Sequence, residues 1–240
     1  MNIYKTKTII KILAILALFT PLIISKSTLF PFIFGKAVAF QILVELMLIV
    51  YLIGLAKFSE FRPRFSALTL ALLAFFVVLV LSTIFSADPY ASFWSKQERM
   101  EGLFTLSHYF VFFLVLTAVF RKKEDVSSVA LPARRSFNEG GAKEGWLGFL
   151  RWSVIAAFLV CLHALAQWVN LPGFTKGIGV SGTLGNPSFL ASYLIFIIFF
   201  ALFLFLEKTK SRNPRPEQGQ GIEISKSRNA RPEQGRNIEI

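Results

Sequence analysis

The residues best suited to chemistry lie in three stretches. Arg99 stands in the polar segment from Trp94 to Gly102. Gln167 closes an apolar run. Gly185 and Asn186 belong to the turn Gly182-Thr183-Leu184-Gly185-Asn186-Pro187. A guanidinium presents a planar fork of donors that matches phosphate oxygens two at a time. The turn has the composition of a helix start. Asn186 has N-cap chemistry, Pro187 suits the first helical position, and glycine tolerates the positive φ that such turns use. The free N–H groups and dipole of a helix N-terminus favour an anion. A cation, an amide side chain and a helix start on one face would therefore make a site for a phosphate or diphosphate. Each element also has a plainer reading. Arg99 is then a solvated charge paired with Glu101, the turn is only a cap, and Gln167 bonds a neighbouring helix.

The elements that must position these residues are membrane helices. The 240 residues are 54% hydrophobic and 15% aromatic, with 27 phenylalanines, and the mean hydropathy is +0.58. That exceeds the apolar share of ordinary soluble domains. The apolar residues come in blocks long enough to cross a bilayer, which takes about 20 helical residues. The predicted class is all-α: a polytopic integral membrane helix bundle with about six transmembrane helices. Spans are expected near 9–25, 37–56, 65–85, 103–120, 149–169 and 187–206. An inner loop is expected at 121–148 and a disordered cytoplasmic repeat tail at 207–240.

The formal charge of +12 does not point to nucleic acid, because the charges fall in the connectors. Lys57, Arg62 and Arg64 follow the second span, and Arg121, Lys122 and Lys123 follow the fourth. Lys26, Lys36, Lys96, Arg99 and Lys176 are the basic residues of the other connectors. This asymmetry puts the N-terminus and the tail in the cytoplasm and the Arg99 and Asn186 connectors outside. Trp94, Trp152 and Trp168 sit near span ends, as an aromatic belt would. The single cysteine, Cys161, excludes an intrachain disulfide, and no cluster of metal-ligand residues is present.

Within the spans, Gln41 and Glu45 lie four residues apart on one helical face. They read either as a polar patch lining a cavity or as a patch in which Glu45 is protonated or paired with a neighbouring helix. His108 and His163 read as packed interface histidines rather than bases. No nucleophile and base stand together, so no catalytic residue is assigned. After the sixth span the chain repeats itself: Ser211 to Gly219 and Ser227 to Gly235 are near copies, each followed by Ile-Glu-Ile (222–224 and 238–240). Charge and proline leave that segment too few apolar residues to bury a core.

The ordered set Trp94, Arg99, Glu101-Gly102, Gln167 and Gly182 to Pro187, continuing through Leu190-Ala191 and Tyr193-Leu194, resembles the O-antigen ligase and polymerase superfamily. The similarity spans roughly residues 65–206, and it rests on the order of the motifs rather than on any one of them. The resemblance implies an integral membrane glycosyltransferase of the bacterial cytoplasmic membrane, acting in polysaccharide or lipopolysaccharide biosynthesis. Such an enzyme moves a glycan from an undecaprenyl-diphosphate carrier to a glycan, lipid or protein acceptor at the outer face, with no cofactor and no metal. By motif position it implies substrate binding by Arg99, Gln167, Gly185 and Asn186, with Arg99 on the diphosphate. Members carry further spans and a large later outer loop whose histidine is thought to activate the acceptor. This chain therefore reads as the N-terminal portion of such a protein. The rival expectation is a non-enzymatic membrane protein, either a transporter-like relative or an inactive fragment.

Overall fold

The structure is a computed structural model that describes residues 2–25, 27–63, 66–96, 99–120, 132–174 and 179–212. All regular elements among them are helical. In order they are α1 (Ile3–Leu18), α2 (Phe34–Lys57), α3 (Ala67–Ile84), α4 (Pro89–Trp94), α5 (Leu103–Val119), α6 (Pro132–Trp168) and α7 (Pro187–Arg212). Among the described residues four segments are long and apolar enough to cross a membrane: Phe34–Lys57, Ala67–Ile84, Gly145–Trp168 and Pro187–Thr209. The apolar α5 is shorter. The fold is thus an all-α, multi-pass membrane bundle.

Local chemistry sets the helix boundaries. Ser66 caps α3 by accepting the Thr69 N–H at 3.2 Å. Asp88 caps α4 by accepting the Ala91 N–H at 2.9 Å, and Pro89 opens that helix. Pro21 sits in a short 3-10 turn, Thr20–Leu22, just past the end of α1. There the ring fixes φ and removes the N–H that another helical turn would need.

Three boundaries differ from those expected. The first helix runs from Ile3 to Leu18 rather than over 9–25, because Pro21 stops it early and Asn2 caps its start. The expected inner loop 121–148 is helical from Pro132 onward; residues 121–131 lie outside the described residues. Gly140 and Gly141 each cost about 1 kcal/mol relative to alanine in a helix interior, and the helix continues through both. The last helix extends to Arg212 rather than ending at 206. Residues 213–240, with nearly all of the repeat, lie outside the described residues.

The chain divides into two units, Met1–Leu202 and Phe203–Ile240. In the first, α1 and α2 pack most extensively, α5 packs against α2, and α3 lies against α5. Two cores hold this unit. One gathers Ile10, Ala14, Met47, Tyr51, Phe61, Val115, Leu116, Val119 and Phe120. At its edge the Tyr51 hydroxyl donates to the Phe61 carbonyl at 2.8 Å. The other gathers Val160, Ala164 and Leu190, with Leu184 and Tyr193 against them, and it underlies the Gly182–Pro187 turn. Apolar side chains cover the outer faces of α3 and of the α7 portion in this unit: Phe75, Val78, Phe196 and Phe199 are each at least 60% exposed. In a soluble protein such surface would drive association; on a membrane bundle it faces hydrocarbon.

Candidate functional site

Three connectors meet at one end of the first unit: the α1–α2 connector, the segment before α5, and the α6–α7 turn. Each joins successive long helices, so the alternation of helix direction places all three at the same end. The turn is built from its own sequence. Gly182 has φ +58° and Gly185 φ +77°, both in the left-handed region that favours glycine. Gly185 is also a close approach: a Cβ there would lie 2.5 Å from the Phe32 Cβ. The Asn186 side chain accepts the Ser188 N–H at 2.8 Å, and its carbonyl accepts the Leu190 N–H at 3.1 Å. Asn186 therefore caps α7, with Pro187 as its first residue.

Gln167 clamps this turn from below. Its side-chain oxygen accepts the Ser181 N–H at 3.2 Å and the Gly182 N–H at 2.8 Å, while its amide nitrogen donates to the Gly182 carbonyl at 3.2 Å. The residue is 3% exposed. A backbone that turns back on itself inside a membrane bundle must satisfy its polar groups within the protein, and Gln167 does this for two successive residues. Lys36, in the first turn of α2, makes a second tie by donating to the Thr183 carbonyl. The sequence placed Lys36 only among the connector charges. Its contact is 147 residues away along the chain, and no local pattern announces it.

Arg99, Gly185 and Asn186 line one cavity of about 320 Å³, together with residues 30–33, Leu184 and Phe189. Arg99 is exposed, and among the described residues it makes no ion pair with Glu101 or any other carboxylate. Backbone strain surrounds it. Ser95 and Met100 take positive φ, +64° and +51°, without being glycine. A Cβ on Gly102 would lie 2.3 Å from the Phe93 carbonyl oxygen, so only glycine fits beneath the segment that carries Arg99. Of the four expected site residues, three share the cavity. The fourth, Gln167, lies buried behind the turn and reaches the cavity only through the backbone that it holds. The cavity therefore offers an open guanidinium beside the capped start of an apolar helix, an arrangement that suits an anion.

Two polar pairs within the spans link α2 to α5. Gln41 on α2 donates to the Thr105 hydroxyl on α5 at 3.1 Å, and both are buried. One turn further along, His108 Nε2 lies 3.3 Å from a Glu45 carboxylate oxygen, and Nδ1 lies 2.7 Å from the Phe104 carbonyl. The Glu45 side chain is nevertheless 57% exposed. Neither pair lines the Arg99 cavity. His163 packs its ring against Phe174 at 5.0 Å. No group of three or more metal-ligand side chains occurs among the described residues.

The chain matches no family model, and neither the curated proteins nor the solved structures yield a significant match.

Proposed function

We propose that this protein is an O-antigen ligase-like glycosyltransferase component that holds the diphosphate of an undecaprenyl-diphosphate-linked glycan in the Arg99 cavity, at the outer face of the bacterial cytoplasmic membrane. The observation that supports this reading is the convergence of Arg99 with Gly185 and Asn186, far along the chain from it, on one cavity at the end of a membrane bundle. Arg99 supplies the fork that pairs with phosphate oxygens. The start of α7 adds the favourable end of its dipole. Stabilising the departing diphosphate is the electrostatic contribution that these residues make to transfer. Gln167 acts one step back, by holding the turn's backbone in place. The acceptor is a glycan, lipid or protein hydroxyl, and no described residue is assigned as its base.

A transport path along Gln41 and Glu45 has less support, because both side chains are engaged by α5 and neither borders this cavity. The test is binding of an undecaprenyl-diphosphate oligosaccharide to the full chain in nanodiscs. Removing a bidentate charge-assisted contact costs about 2–3 kcal/mol, so Arg99→Ala is expected to weaken binding by about 30- to 150-fold. Equal binding by Arg99→Ala and wild type removes Arg99 from the site.

A further inference from the structure

A second cavity, of about 370 Å³, runs between α7 and the α1–α2 pair. Leu18 and Phe40 line one side, Phe196 and Phe200 the other, and among the described residues of its lining Lys36 is the only charged one. Its α7 wall extends from Tyr193 to Phe200, about 10 Å at helical rise and roughly a third of a 30 Å hydrocarbon core. Phe196 both lines the cavity and is 65% exposed on the outer face of α7, so the space opens sideways onto the surface that hydrocarbon covers.

Lys36 is half-buried and spends one N–H on the Thr183 carbonyl, which leaves two donors. Among the described residues no carboxylate reaches it. A cation drawn out of water with no carboxylate partner is costly, and an anion from outside the chain offsets that cost. An apolar slot open to the bilayer and ending at an unpaired ammonium is complementary to a molecule with a hydrocarbon chain and a negative head.

We infer that this crevice holds one acyl chain of an acidic phospholipid, with the phosphate headgroup on Lys36. The site is separate from the Arg99 cavity, which has a different lining apart from the shared Leu184, and the inference does not depend on the proposed glycan carrier.

The experiment is native mass spectrometry of the detergent-solubilised full chain with phosphatidylglycerol or phosphatidylcholine of identical acyl chains. One lysine at a membrane surface favours an anionic lipid by an amount that corresponds to about fivefold in retention. Wild type is expected to keep phosphatidylglycerol about fivefold better. Lys36→Met should bring the two lipids to parity. Lys36→Gln, which keeps a neutral hydrogen-bond donor at this position, should do the same. Ile197→Trp, which fills the slot, should lower retention of both lipids. Arg99→Ala should keep the wild-type preference, and inorganic phosphate should not displace the lipid. No preference in wild type, a preference surviving in both Lys36 variants, or a preference lost in Arg99→Ala each overturns the inference. Displacement by inorganic phosphate alone overturns the role of the chain.

Discussion

Replacing Gln167 with methionine keeps the length and most of the volume of the side chain and removes its polar atoms. Three backbone groups then lose their partner: the N–H of Ser181, and the N–H and carbonyl of Gly182. Ser181 is 6% exposed, and its neighbour Thr183 is 2% exposed, so water does not reach these groups while the turn stays closed. An unsatisfied buried backbone group costs about 1–3 kcal/mol. The three belong to one short turn and relax together, so the loss is less than a simple sum, and about 3 kcal/mol is the expected total. The turn has a local way to recover it. By opening, it exposes the three groups without unfolding the α1–α2–α5 core. Amide exchange across 181–184 is therefore expected to rise by about a hundredfold in Gln167→Met, while exchange in Val115–Val119 stays at the wild-type rate. Hydrogen–deuterium exchange with mass spectrometry on the solubilised protein reads both regions in one experiment. Unchanged exchange at 181–184 would refute the clamp. A uniform rise in all peptides would mean that Gln167 stabilises the whole bundle rather than the turn.

Gly185→Ala is expected to lower stability by about 2–4 kcal/mol, combining left-handed backbone strain with overlap of the new methyl on the Phe32 Cβ. Thermal melting followed by tryptophan fluorescence checks this, and a melting temperature within a degree or so of wild type contradicts it. The Gln41–Thr105 hydrogen bond is expected to show a coupling of about 0.6 kcal/mol in a Gln41→Leu, Thr105→Val double-mutant cycle, the usual size of an interhelical bond within a membrane. The Glu45–His108 contact, with its carboxylate more than half exposed, should couple by no more than about 1 kcal/mol. A larger value would place Glu45 in a drier setting than its exposure indicates.

The sequence by itself determined that this is a multi-pass helical membrane protein, because a bilayer accepts few structures and long uncharged blocks select one of them. It also determined the α7 start. Asn186 and Pro187 cap a helix through bonds two and four residues away, and such local chemistry is legible without a fold. Even so, the end of α1, the helix through Gly140 and Gly141, and the extension to Arg212 differ from the expected bounds. Hydropathy marks where a chain is apolar, whereas backbone bonding marks where it is helical. Tertiary structure decided which distant residues meet. Packing of the connectors at that shared end brought Arg99 to the cavity of Gly185 and Asn186, and it set Lys36 on the Thr183 carbonyl. It also separated Gln167 from the cavity that the other three share. The same residue types in the same order allow a glutamine at the end of α6 to face a ligand or a backbone. Which one it faces depends on how far the turn folds back over the helix, a distance set by packing of Val160, Ala164 and Leu190 that no spacing in the chain encodes.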